Sequence, residues 1–400
     1  MDNFEFSICL SNNQSSELME NILSRFNARF PSDPKISVHS VFWDDYRTEM
    51  NAVGVYRRGP DISQTGGPMI NDLVALNALR PFNEREMAAL GGRQAFSDTA
   101  WQGGLPHNSS EIWSCPWMAD PRVVVYWRDL LDKAKVNERT AFDSFSNMED
   151  AFERLKASGI ATPWVLPNAS RLAALQTAVS WIWGAGGALL NPEGTKVLFN
   201  QPNALEGLHH YFALHRYMPL ERRPIDFASA YQRFSNRQAA ATMANLGPVM
   251  TMLQQATPEL RRQLGITLPP GPPYVGGSCL VVWQHTQHEA KAVELTQFLL
   301  HQDVQVEYCQ AIGYLPVSEA ALSTPPYTTD PILSGFVRSL RNGRIFPMVK
   351  FGGMIEDRLG QTITNIWSEI LVNPGFDIIA LVNRQMEQLA QRIDSLIAVR

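Results

Sequence analysis

The chain has 400 residues, 45% of them hydrophobic and 18% charged, with a formal net charge of −5. That length exceeds one ordinary domain and supplies enough apolar side chains for more than one core. The mild acidity and the lack of a basic block argue against nucleic acid as a partner, and no run of roughly 18 apolar residues offers a membrane-spanning helix.

Phe4, Phe6, Ile8 and Leu10 alternate as a strand does. The polar SNNQSSE segment ends in serines suited to an N-cap, and Leu18, Ile22, Phe26 and Phe30 then follow at helical spacing up to Pro31. A second strand is expected at 35–41 (KISVHSV), and GPDISQTGG at 59–67 reads as a strand end and a turn. This βαβ rhythm predicts a mainly parallel sheet, whose ligands bind outside the carboxyl ends of the strands. Asn12, Asn13, Trp43, Asp44, Gln64 and Thr65 fall there.

The stretch 114–136, SCPWMADPRVVVYWRDLLDKAKV, organises the middle of the chain. An extended segment with Trp117, Asp120 and Arg122 leads into a buried strand, Val123 to Trp127, and then a helix. That order fits a hinge crossing with a site beside it. Helices are expected at 146–158 and 172–183, the second ending at Trp183 before GAGG. A turn, a short strand and a further helix follow through residue 217, and a helix restarts at Met250. The Pro/Gly-rich segment before Cys279 reads as a second crossing, near 270–277, and GYLPVSEAAL as a third, near 312–317. Thr286 and Glu289 fit a capping box, and the tail from Asp377 is amphipathic.

The four cysteines, Cys9, Cys115, Cys279 and Cys309, have no metal spacing and are expected as free, buried thiols. HTQHE at 285–289 is His-x-x-His-Glu rather than the zinc helix His-Glu-x-x-His, and His209, His210 and His215 lack a carboxylate at ligand spacing. GAGGAL follows a helix rather than a strand, unlike a dinucleotide fingerprint. No carboxylate pair stands in a recognisable catalytic frame. The expectation is a non-enzyme with no metal and no cofactor.

The positive chemistry lies in the aromatics. Sugars present apolar C–H faces ringed by hydroxyls, so a site for them needs aromatic platforms beside polar side chains and backbone amides. Trp43, Trp117, Trp181, Trp183 and Trp283 lie near expected loops or crossings, each with core packing as the competing reading. Gly277 and Ser278 offer amides open to close approach.

Seven segments in order resemble those of family 1 extracellular solute-binding proteins, the carbohydrate-binding subunits of bacterial ABC importers that include maltose-binding protein. They are PDI at 60–62, LRPF at 79–82, the 115–136 stretch, FDSFSNMEDAFERLK, WGAGGALLNPEGTKVLFNQPNALEGL, FSNRQAAATMANLGPV, and LPPGP with the following GGSCLVVWQHTQHEAKAVELTQFLL. The chain departs from the family pattern at Trp127-Arg128, where Tyr-Asn is usual, and at Pro248-Val249, where a Trp is frequent.

The resemblance implies an α/β fold of two lobes, each a mainly parallel sheet flanked by helices, with three hinge crossings and a ligand cleft between lobes. The N-terminal lobe is then expected from 1–115 and 277–313, the C-terminal lobe from 116–276 and 314–400. Asn245, Gly247, Arg344 and Phe351 complete the candidate ligand set of Trp43, Gln64, Trp117, Asp120, Arg122, Trp181, Trp183, Ser278 and the others named above. The implied function is delivery of a mono- or oligosaccharide, by a monomer, to ABC permease subunits. A non-sugar solute (a glycerol phosphate ester or a polyamine), a ligand-sensing module and a carbohydrate-active enzyme stand as alternatives. MDNFEFSICL carries neither a secretion-signal pattern nor a lipoprotein site before Cys9. The periplasm or cell surface is therefore expected if a signal was removed, with the cytoplasm as the other reading.

Overall fold

The computed structural model describes residues 4–10, 14–30, 34–43, 45–105, 109–373, 375 and 377–398. The chain divides into two compact units. The first comprises Met1–Asp120, Val275–Arg341 and Met348–Gly352; the second comprises Pro121–Tyr274, Asn342–Pro347 and Gly353–Arg400.

The first unit holds a seven-stranded sheet. Its strands are β1 (Phe4–Leu10), β2 (Ile36–Phe42), β3 (Ile62–Thr65), β4 (Leu79–Arg80), β5 (Cys115–Pro121), β10 (Val275–Trp283) and β11 (Leu315–Pro316), five of them in the order β5-β10-β3-β1-β2. β1 runs parallel to both β2 and β3, with Phe6 opposite Val38 and Ile62. The expected parallel order ends there, because β10 returns from the second unit antiparallel to β3, and β11 is antiparallel to β5. Phe4, Phe6 and Ile8 are wholly buried, and Met19, Ile22 and Phe26 are buried along one face of the helix Ser15–Arg29. The expected serine cap is replaced: Gln14 holds the N-cap position, and its side chain makes no capping bond.

The second unit holds a four-stranded sheet in the order β7-β8-β6-β9, from β6 (Val123–Trp127), β7 (Trp164–Val165), β8 (Ala241–Ala244) and β9 (Leu264–Thr267). Only β7 and β8 are parallel; β6 is antiparallel to β8 and β9, so this sheet corrects the mainly parallel expectation. β6 is buried throughout, as its β-branched run implies. Trp127 donates Nε1–H to the Phe234 carbonyl at 2.9 Å and stacks on the Phe234 ring at 5.1 Å. Arg128 pairs with Glu138 at 2.9 Å. The Trp-Arg departure from the family pattern is thereby absorbed in packing and an ion pair.

The helix Arg171–Gly184 is buried from Ala174 to Trp183, its polar Gln176, Thr177 and Ser180 included. Its partner, Pro202–Ala213, approaches closely through Gly207, where a Cβ would stand 2.3 Å from the Trp181 carbonyl.

The third crossing differs from expectation. Residues 314–341 stay with the first unit, because Leu315 and Pro316 pair with Ala119 and Met118 of β5. The chain passes to the second unit only after Arg341, returns for 348–352, and leaves again at Gly353. The GYLPVSEAAL segment has the composition of a crossing, but a two-residue bridge gives no local sign of its partner. Thr286 does not form the expected capping box. Its hydroxyl donates to Asp61 Oδ1 at 2.6 Å and accepts the His288 N–H at 3.1 Å. The helix expected from Met250 already begins at Leu246, and the short strand before residue 200 is one bridge, Leu190 to Val197.

Candidate functional site

Each unit presents polar and aromatic groups at one edge of its sheet. In the first, β1, β2 and β3 end together because they are parallel. Asn12, Asn13 and Asp44 lie outside the described residues. Trp43 follows β2 and packs edge-on against Tyr46 at 5.0 Å. Tyr46 reaches the end of β3, its hydroxyl 3.0 Å from where a Cβ on Gly66 would lie.

Gln64, Thr65 and Ser278 are buried inside the sheet. Gln64 accepts the Cys9 N–H at 2.9 Å and donates to Ser278 Oγ at 3.1 Å, tying β1, β3 and β10 together. The Thr65 hydroxyl donates to the Gly66 carbonyl at 3.4 Å. Gly277 has φ +141°, and a Cβ there would stand 2.2 Å from the Met118 carbonyl, so close strand approach accounts for this glycine.

Trp117 is 1% exposed, stacked on Tyr308 at 5.3 Å and edge-on to Phe6 at 5.8 Å, a place in the core. Asp120, at the end of the same unit, is buried. Phe351 adopts φ 61° and donates its N–H to Asp72 Oδ1 at 3.2 Å, while Lys350 Nζ lies 4.9 Å over its ring. Burial raises the Asp72 carboxyl above its ordinary range, against the Phe351 N–H and Arg47, which favour the charged form.

The second unit gathers a tighter cluster. β6 starts at the same edge where β8 ends, with Val123 opposite Ala244. Arg122, just before β6, donates its backbone N–H to the Tyr274 carbonyl at 2.9 Å and a guanidinium N–H to Gln176 Oε1. Gln176, Ser180 and Trp183 recur at helical spacing along Arg171–Gly184, so they share a face. Ser180 Oγ accepts the Tyr274 N–H at 3.2 Å, and the Tyr274 ring lies parallel to Trp183, 6° between planes and 6.5 Å between centroids. Gly271 permits this fit: a Cβ there would stand 2.1 Å from the Ser180 carbonyl. Arg344 joins from the returning chain, its N–H donating to the Pro273 carbonyl at 2.8 Å.

Asn245 sits at the N-cap of the helix Leu246–Gln255, and Gly247 lies in its first turn. Trp181 points elsewhere, packing on Tyr211 at 5.5 Å in a cluster with Trp367. The structure therefore brings Arg122, Trp183, Asn245 and Arg344 to one edge and places Trp181 in the core. Gln176 and Tyr274 were missed from sequence. The spacing of Gln176 seven residues before Trp183 was the available signal; Tyr274 had none beyond its place before β10.

Among the described residues, no group of three His, Cys, Asp or Glu could hold a metal ion. No helix among them is long and apolar enough to cross a membrane.

Two α/β units, one of them with stacked aromatic rings beside a guanidinium and a carboxamide, define a protein built to hold a small polar solute. The chain belongs to the bacterial extracellular solute-binding proteins, whose family model matches residues 21–335. Similar solved structures include the sugar-binding protein MalE from Xanthomonas citri, 18% identical with a TM-score of 0.82 over 99% of this chain and 98% of that one. An ABC transporter solute-binding protein from Thermotoga lettingae, solved with α-D-tagatose, is 15% identical with a TM-score of 0.80 over 100% of both chains. UgpB from Mycobacterium tuberculosis, solved with glycerophosphocholine, is 16% identical with a TM-score of 0.78 over 99% of this chain and 100% of that one. At these identities the likeness establishes the fold. No curated protein matches the chain.

Proposed function

We propose that this protein captures a carbohydrate outside the cytoplasmic membrane and delivers it, as a monomer, to the permease subunits of an ABC importer, without chemical turnover. The observation that carries the reading is the Trp183–Tyr274 stack beside Arg122 and Gln176. A pyranose ring places its C–H face on an aromatic surface, and its hydroxyls need donors and acceptors set around the rim. Gln176 supplies both kinds, and Arg122 supplies charged donors in a fixed plane. The sugar-binding protein from Xanthomonas citri and the tagatose-bound protein from Thermotoga lettingae, both of the same fold, support the same class of ligand.

A phosphodiester such as glycerophosphocholine is the second reading. Arg122 and Arg344 are held close in the chain by their backbone N–H groups, which donate to the adjacent Tyr274 and Pro273 carbonyls, and arginine is a residue suited to phosphate. UgpB was solved with such a ligand.

Calorimetry over maltose, maltotetraose, trehalose, D-tagatose and glycerophosphocholine separates the two. A sugar is expected to bind at micromolar affinity or tighter, about −8 kcal/mol, with no reducing sugar released. Binding of glycerophosphocholine alone would replace the first reading with the second, and carboxylate-dependent hydrolysis of a bound oligosaccharide would overturn both.

A further inference from the structure

β7 and β8 are parallel, with Val165 opposite Thr242. Three residues further along each chain stands an asparagine, Asn168 beyond the end of β7 and Asn245 just beyond the end of β8. Asn168 is wholly buried. Its Oδ1 accepts the Ile225 N–H at 2.7 Å, which leaves Nδ2 as a donor, and that Nδ2 has no partner among the described residues. Asn245 occupies an N-cap position but its side chain caps nothing, and its shielded Oδ1 likewise has no partner among the described residues. On the other flank, β6 pairs with β8 so that Arg122 falls opposite Asn245, one position beyond Val123 and Ala244.

An unsatisfied buried polar atom is costly, and two at one edge call for a common explanation. The two segments leave strands that run about 4.8 Å apart, and each asparagine follows its strand within three residues, a short enough run for one small group to bridge both amides. The group must accept from Nδ2 and donate to Oδ1. Among the groups of the solutes weighed above, phosphodiester and carboxylate oxygens only accept and ammonium groups only donate, whereas a hydroxyl does both. We propose that Asn168 and Asn245 form a hydroxyl-binding pair that seats one hydroxyl of the bound solute. The inference rests on the carbohydrate reading and sharpens it. Selection acts on a particular hydroxyl, and analogues lacking it are rejected because both amides then stay unpaired.

The test uses Asn168→Asp, which keeps an acceptor for the Ile225 N–H while removing the donor, and Asn245→Ala, which removes an acceptor that caps nothing. Calorimetry is run on wild type, both variants and the double variant with the tightest-binding sugar of the panel and its monodeoxy derivatives. Urea midpoints verify folding.

Each single change is expected to weaken binding roughly five- to 150-fold, with the double variant little worse than either single one. One monodeoxy sugar should show the same loss on wild type and no further loss on the variants. Wild-type affinity in both folded variants would overturn the pair while leaving the carbohydrate reading intact. If wild type binds none of the sugars, that reading fails and the pair is judged on glycerophosphocholine, whose glycerol carries two hydroxyls. Loss of affinity in the variants then sustains the pair, and unchanged affinity overturns it.

Discussion

Trp181 and Trp183 stand two residues apart on one helix, so their side chains leave it on nearly opposite faces. Trp181 is 1% exposed and packs on Tyr211, whose hydroxyl accepts Trp367 Nε1–H at 3.2 Å. Trp183 is 7% exposed, at the last turn, against the ring of Tyr274. Trp181→Ala empties a site inside an aromatic cluster and should cost about 3–5 kcal/mol of stability with ligand affinity unchanged. Trp183→Ala removes a stack worth about 0.5–1.5 kcal/mol beyond the area covered, so it should lower stability less than its neighbour does. If a sugar rests on this aromatic pair, the same change should weaken binding by about 1–3 kcal/mol, or roughly five- to 150-fold. Urea unfolding and calorimetry on the two variants, side by side, separate the roles. Wild-type affinity in Trp183→Ala, together with a midpoint lowered as far as in Trp181→Ala, would refute the platform and make Trp183 a core residue.

Gln64→Leu leaves the Cys9 N–H without its acceptor and should cost about 1–3 kcal/mol in urea unfolding. Ligand affinity should stay unchanged; a loss of affinity without a loss of stability would return Gln64 to the site. All four cysteines are buried, and burial pushes the Cys9 and Cys279 thiols up to about 12. A disulfide-exchange reagent should therefore find almost no reactive thiol in the native protein at pH 8 and four in denaturant without reductant; finding two or none in denaturant would refute free thiols. Burial holds the His215 imidazole below its ordinary value of 6.5, and Arg216 adds to that, so the unfolded chain takes up this proton first. Stability from this group is complete above about pH 6.5 and is lost as pH falls toward the folded-state value. His215→Gln should flatten that acid-side slope of the urea midpoint, and an unchanged slope would show that another group sets it.

What the sequence determined by itself was local. The alternation of Phe4, Phe6 and Ile8, the helical spacing from Leu18, the apolar run at Val123 to Trp127 and the amphipathic tail all became the expected elements, because each pattern is set by side chains within a few residues. The order of motifs carried the family, and with it the two α/β units. Tertiary structure alone decided which residues share an edge. Trp117 looked like a platform beside a crossing, but stacking on Tyr308, far along the chain, makes it core. Gln64 stood at a strand end, but its hydrogen-bonding groups are taken up by Cys9 and Ser278 on neighbouring strands. Residues 314–341 stay in the first unit through a two-residue strand whose partner lies almost two hundred positions earlier. Tyr274 was invisible because its meaning depends on Trp183, brought beside it by a helix face. Propensity acts over a few residues, whereas burial and hydrogen-bond satisfaction depend on whatever the folded chain places next to a group. The scaffold was therefore legible in the sequence, and the make-up of the candidate site was legible only in part.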